Sequence, residues 1–133
     1  MDANRFKSHA MSQAYGDACV FLSSVDFDAT AAGESVNFAD MPAGSELIKV
    51  ESLNDPLGAG TTMQYGIEYP DGGGTDDDAH FLPAAASTAL ARRESLTHPF
   101  TVEDRAIITG RLAGGNATGK VTVSVHYRFR GNM

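Results

Sequence analysis

Residues 120–130 read KVTVSVHYRFR. Val121, Val123, Val125, Tyr127 and Phe129 fall on one side of an extended chain, and Lys120, Thr122, Ser124, His126, Arg128 and Arg130 on the other, because successive side chains of a strand point to opposite faces. One face is apolar and the other wet, the pattern of an antiparallel strand that covers a core. Residues 61–69 repeat it, with Met63, Tyr65, Ile67 and Tyr69 alternating against Thr62, Gln64, Gly66 and Glu68. Both segments are expected at the centre of a sheet structure.

Shorter β-type runs lie at 18–25, 35–41, 46–53, 79–85, 96–102 and 106–112, separated by Gly, Pro, Asn and Asp, which with the two clear strands makes eight. Many short strands punctuated in this way indicate an all-β antiparallel sandwich or barrel. Met41-Pro42-Ala43-Gly44 and Asn54-Asp55-Pro56-Leu57-Gly58 have turn chemistry, Pro fixing φ and Gly free to take φ > 0. Gly114-Gly115-Asn116 is expected to join the last two strands as a hairpin. Residues 83–93 are Ala-rich and are the one place where a short helix is expected, with Arg92-Arg93 at its C-terminal end. Residues 1–17 show neither a period of two nor an apolar stripe and read as an extended arm, leaving 18–133 as a single β domain. Periodicity leaves sequential hairpins and crossed connections equally open.

The chain has 133 residues and a mass of 14.0 kDa, one domain's worth of core. Its net charge is −7 and its pI about 4.8, which disfavours nucleic acid, since phosphate binding needs clustered Lys and Arg. Cys19 is the single cysteine, so there is no internal disulfide and no cysteine-rich zinc site. No run approaches the roughly 18 apolar residues of a membrane helix, and the polar start does not read as a signal peptide. The chain is therefore expected to be made in the cytoplasm, with neither nucleic acid nor membrane as partner.

The charge is unevenly placed. Residues 26–79 hold twelve acids and one base, Lys49, for −11, whereas residues 105–133 hold Arg105, Arg111, Lys120, Arg128 and Arg130 with no acid, for +5. Cross-strand pairing would mix these charges on a solvated surface. The other reading is a two-sided molecule, the basic face of 120–130 docked on an acidic partner.

No catalytic constellation is present. Asp71, Asp76, Asp77 and Asp78 put four carboxylates in eight residues and are a weak cation candidate, but they lack the alternating ligands and final Glu of a calcium loop; a solvated hairpin tip that discourages edge pairing is the plainer reading. His9, His80, His98 and His126 have no closely spaced partners. Cys19 begins an apolar run and packs as a small hydrophobe. Ser23 and Ser24 lack a nucleophile-elbow context, and Asn116-Ala117-Thr118 reads as a turn. No enzyme activity and no cofactor are expected. Phe6, Met11 and Tyr15 in the arm are candidate anchors on a neighbouring protein.

The order of pieces resembles a known family. Met41-Pro42-Ala43-Gly44 precedes ELIKVES, Asn54-Asp55-Pro56-Leu57-Gly58-Ala59-Gly60-Thr61-Thr62 precedes MQYGIEY, an acidic Gly-rich loop ends in Ala79-His80-Phe81-Leu82, and the chain closes on IITGRLAGGNATGKVTVSVHY. Over residues 18–129 this is similar to the small decoration, or cement, proteins of tailed bacteriophage capsids. The resemblance implies a jelly-roll-like sandwich on the outside of the virion, bound to the major capsid protein and self-associating there, with no chemistry to perform. Phe6, Met11, Tyr15, Lys120, Arg128 and Arg130 are the expected contact residues. A head fibre base, a tail or head–tail joining component, and a carbohydrate-binding module are the alternatives, the last disfavoured by the lack of Trp for stacking on sugars.

Overall fold

The computed structural model describes residues 1–3 and 18–129. Among these residues there is no helix; nine strands form two antiparallel sheets. In chain order they are β1 (Ala18–Thr30), β2 (Ser35–Met41), β3 (Ser45–Asn54), β4 (Thr62–Glu68), β5 (Asp77–Ala86), β6 (Ala91–Glu94), β7 (Phe100–Thr101), β8 (Ala106–Ala113) and β9 (Ala117–Phe129). The first sheet runs β1-β9-β3-β6, with β7 also pairing β3, and the second runs β2-β8-β4-β5. The result is a jelly-roll-like β-sandwich.

Alternation decides which side chains fill it. β9 buries Val121, Val123, Val125 and Tyr127, and β1 buries Phe21, Val25 and Phe27 opposite Val125, Val121 and Gly119. The second sheet answers with Val36, Phe38 and Met41 from β2, Met63, Tyr65 and Ile67 from β4, and Ile108 and Leu112 from β8. Each large apolar side chain moved from water to this interior contributes about 2 kcal/mol, and together they supply most of the drive to fold. Where a ring lies closest, the opposing strand gives way. A Cβ on Gly110 of β8 would stand 2.6 Å from the Phe38 ring.

Consecutive strands mostly change sheet. The exceptions are the β4–β5 hairpin and the pair β6 and β7, which both lie against β3. The expected hairpin at Gly114-Gly115-Asn116 is therefore a crossing instead, carrying the chain from β8 in the second sheet to β9 in the first. Its sequence suits that role. Gly114 has φ 83°, and a Cβ there would stand 2.1 Å from the carbonyl oxygen of Gly60. Two connections pass backbone against backbone at this point.

The Ala-rich stretch is also strand, not helix. Residues 83–86 complete β5 and residues 91–94 form β6, with Ala85 paired to Met63 and Arg92 to Leu53. A marginal helix of this length gains little alone, and the two sheet edges offer it backbone partners at once. The 96–102 run shrinks to β7. The Pro42–Ser45 turn stands as expected, with Ser45 N–H donating to Pro42 O over 3.2 Å and Gly44 at φ 89°. At the other end of the chain, Met1–Ala3 lie along β2. Ala3 N–H donates to Asn37 O over 2.9 Å and Asn37 N–H to Met1 O over 2.8 Å. The first three residues of the expected arm thus extend the second sheet. The anchors Phe6, Met11 and Tyr15, with His9 and Arg130, lie outside the described residues.

Candidate interaction face

β9 sits in the middle of the first sheet, between β1 and β3, with Lys120, Thr122, Ser124, His126 and Arg128 on its outward side. Arg128 does not stand as a lone cation. Its Nε and Nη2 donate to Glu46 Oε1 on β3 over 2.9 and 2.5 Å. Lys49 bridges Glu51 and Glu94 at 3.6 and 3.3 Å, and Arg92 Nη1 donates to Glu51 Oε1 over 2.7 Å. That hydrogen bond, helped by Lys49 and opposed by partial burial, holds the Glu51 carboxyl below its ordinary range. Lys120 is exposed and lies opposite Asp26 of β1.

β8 has the same place in the second sheet, between β2 and β4. Arg105, just before it, forms a two-pronged pair with Asp40 of β2, both bonds 2.8 Å, and this bond raises the guanidinium pKa further. Arg111 reaches Asp78 of β5 at 3.4 Å. The basic C-terminal strands are therefore each flanked by strands from the acidic stretch. Folding mixes charges that the sequence keeps apart, and a basic docking face is not what results.

What remains is a difference between the sheets. The strands of the first carry five acids (Asp26, Asp28, Glu46, Glu51, Glu94) and five bases (Lys49, Arg92, Arg93, Lys120, Arg128). The strands of the second carry four acids (Asp40, Glu68, Asp77, Asp78) against Arg111. Apolar exposure goes the other way. Among the described residues, the large hydrophobics left exposed are Val20 and Leu22 on β1, Leu90 and Leu96 on either side of β6, and Met1 beside β2. Val20 and Leu22 were not legible in advance, because residues 18–22 form a continuous apolar run in which no alternation marks the outward members.

The carboxylates of 71–78 form the β4–β5 hairpin tip and diverge. Asp76 Oδ1 accepts the Tyr69 N–H at 2.7 Å, Asp77 Oδ1 the Ala79 N–H at 3.1 Å, and Asp78 faces Arg111, while Asp71 is exposed. Among the described residues no group of three or more His, Cys, Asp and Glu is placed to hold a metal ion. His80 packs edge-on against Phe81 and Phe100, at centroid distances of 5.0 and 5.2 Å, with Nδ1 3.7 Å from Asp77. His98 is exposed, and Cys19 packs against the core. Ala117 is buried, and the Thr118 hydroxyl accepts the Ala29 N–H at 3.0 Å, so that triplet opens β9.

Arg93 has a role that sequence reasoning missed. Starting from β6 in the first sheet, its Nη1 and Nη2 donate to Met63 O and Pro83 O of the second, over 3.0 and 2.6 Å. It clasps the open edge of the sandwich. Near it, Tyr65 and Ser52 face the core from opposite sheets, their hydroxyls close enough to interact but not in good hydrogen-bond geometry. Burial pushes the Tyr65 phenol up to about 12, with Ser52 and Arg93 acting weakly against it.

No protein-family model matches the chain, and no curated protein matches it. Solved structures do. A chain in the capsid of Ralstonia phage GP4 superposes with a TM-score of 0.72 at 15% identity, over 96% of both chains. One in the cyanophage Pam1 capsid asymmetric unit gives 0.69 at 20% identity, over 92% of this chain and 95% of that one. One in the acidic stable capsid of Helicobacter pylori bacteriophage KHP30 gives 0.65 at 16% identity, over 89% and 92%. This chain thus has the fold of chains found in three phage capsids, matched nearly end to end.

Proposed function

We propose that the chain is a structural protein of a tailed-phage virion that binds the outside of the shell and strengthens the lattice of major capsid protein by bridging its subunits. The observation that carries this reading is the near full-length likeness to chains of three phage capsids. The match covers 89–96% of this chain and 92–96% of each neighbour, so it involves both sheets and not one hairpin or edge.

The mechanism is linkage. A protein that binds the assembled lattice and not separated subunits stabilises the lattice by its own binding free energy. Bridging several subunits lets each contact be weak, because the second contact is made at high effective concentration. The proposed contacts to the shell are Phe6, Met11 and Tyr15 of the arm with Lys120, Arg128 and Arg130 of the C-terminal stretch. Since Glu46 already neutralises Arg128, this contact rests on shape and hydrogen bonding more than on net attraction, and salt should weaken it only modestly.

Quantitative mass spectrometry of purified particles of the phage that encodes the chain tests the reading. Hundreds of copies per particle are expected. A few to a few tens would transfer the chain to a fibre, tail or joining position, and its absence from particles would sink the proposal. Arg128→Glu with Arg130→Glu should lower occupancy while leaving the fold intact; unchanged occupancy would remove that end of β9 from the contact.

A further inference from the structure

Val20 and Leu22 lie two residues apart on β1, 56% and 51% exposed, and so on the same face of the strand, while Phe21 and Val25 fill the core. Their Cα partners on β9 are His126 and Ser124, followed by Ser24 opposite Thr122 and Asp26 opposite Lys120. The patch is thus two large apolar side chains among small hydroxyls, closed by one acid and one base. On a chain of net charge −7, two copies repel each other through most approaches. The second sheet and its acidic hairpin are the worst surfaces for such a meeting, and this patch, balanced in charge and apolar at its centre, is the best.

We propose that a second copy of this chain packs face to face on this patch, about a two-fold axis that lies between β1 and β9 and runs along the strands. This axis lays each β1 over the β9 of the other copy. Val20 then covers His126, Leu22 covers Ser124, and Asp26 meets Lys120, so that both charges find their opposites twice over. A two-fold across the strands would instead bring Lys120 toward Arg128. The arrangement is isologous, as closed dimers usually are, and it stacks two sheets with their strands within about 30° of each other, the ordinary geometry of sheet packing. Alternating pairs elsewhere on this sheet, Glu46 with Arg128 and Glu51 with Arg92, leave its rim near neutral as well. The pairing goes beyond shell binding and is a property of the free chain, because a copy docked through Lys120 and Arg128 turns the same outward face of β9 to the shell.

Sedimentation equilibrium of the full chain at low salt, over a wide concentration range, tests the proposal. A monomer–dimer equilibrium is expected. Leu22→Asp should weaken it about tenfold or more, since it sets like charges together in an apolar contact. Asp26→Lys should weaken it by a similar factor, and Asp26→Lys with Lys120→Asp should restore it. Gln64→Glu on the second sheet should leave it unchanged. Each variant is checked by circular dichroism; if Leu22→Asp fails to fold, Val20→Ser with Leu22→Ser gives the same reading. A monomer at every concentration, a dimer indifferent to the β1 variants, or a charge exchange that fails to restore pairing overturns the proposal. A monomer that is still found on phage particles would overturn it while leaving the proposed function intact.

Discussion

The two sheets share one core but differ on the sides they turn to solvent. In the first, acids and bases alternate across neighbouring strands, and Glu46–Arg128, Lys49–Glu51 and Arg92–Glu51 leave its strands with no net charge. In the second, the strands carry four acids against Arg111, with Arg105 joining from just before β8 to pair Asp40, and the hairpin tip adds Asp71 and Asp76. The difference comes from topology. Both basic strands, β8 and β9, are interior strands, but the sheet of β9 has further cations on its outward side, Lys49 on β3 and Arg92 on β6, and the strands beside β8 carry none. Charge segregated along the chain is therefore cancelled on one face and left in excess on the other.

The strongest way to break this arrangement is to cut the crossing that sets it. Gly114→Ala would put a Cβ 2.1 Å from a backbone oxygen at a residue with φ 83°, where strain and displacement together should cost about 3 kcal/mol. Because the crossing delivers β9 to its place between β1 and β3, both sheets should loosen together. Chemical denaturation should then show one transition at a lower midpoint. Two separate transitions would mean that the sheets are independent, and the contrast between their faces would lose its topological cause.

A second test uses the phenol buried between the two sheets. The folded-state pKa of Tyr65 lies at about 12, above its ordinary 10.0. A raised pKa stabilises the fold while the phenol is neutral, so the contribution is complete below pH 10 and is lost as pH climbs from 10 through 12. Two units correspond to about 3 kcal/mol. Thermal melts should fall steeply over that window in the wild type and much less in Tyr65→Phe. That variant should cost about 1 kcal/mol or less at neutral pH, because the hydroxyl it removes makes only a weak contact with Ser52. An equal alkaline fall in both proteins would show that Tyr65 is not the group responsible.

The strands were largely legible in the sequence, because a half-buried sheet writes its alternation directly: β2 falls at residues 35–41, and β3, β4 and β8 fall within a residue of where their patterns place them. What could not be read was whatever depends on contacts distant in sequence. Gly114-Gly115-Asn116 has hairpin chemistry, and only the partner at Gly60 makes it a crossing. Residues 83–93 have helix composition, and only the free edges of β4 and β3 draw them into strands. The same limit applies to the candidate site. Alternation puts Lys120 and Arg128 on the outward side, where they stand, but the Glu46 that neutralises Arg128 lies 82 residues away. The clasp made by Arg93 left no signal in a dipeptide that reads equally well as a helix end.

The smallest effects separate the two faces most directly. The Glu46–Arg128 pair is partly buried, its side chains 19% and 39% exposed, whereas Asp78–Arg111 is 56% and 50% exposed and longer. Partial shielding preserves attraction that water and salt otherwise remove, so Arg128→Ala should cost about 1 kcal/mol and Arg111→Ala close to zero, the usual worth of an exposed pair. Glu51 adds a pH dependence to the first face. Its folded pKa is lowered from 4.5 by Arg92 and Lys49, so its stabilisation is complete above pH 4.5 and fades as pH falls through the depressed value. Arg92→Ala should flatten that acid limb slightly, while Arg111→Ala on the second sheet should leave it as it is. Urea midpoints at pH 7 and pH 3.5 for the three variants give all of these comparisons together. Equal losses for Arg128→Ala and Arg111→Ala would mean that the balanced face owes nothing to shielding, and that its neutrality is a matter of composition alone.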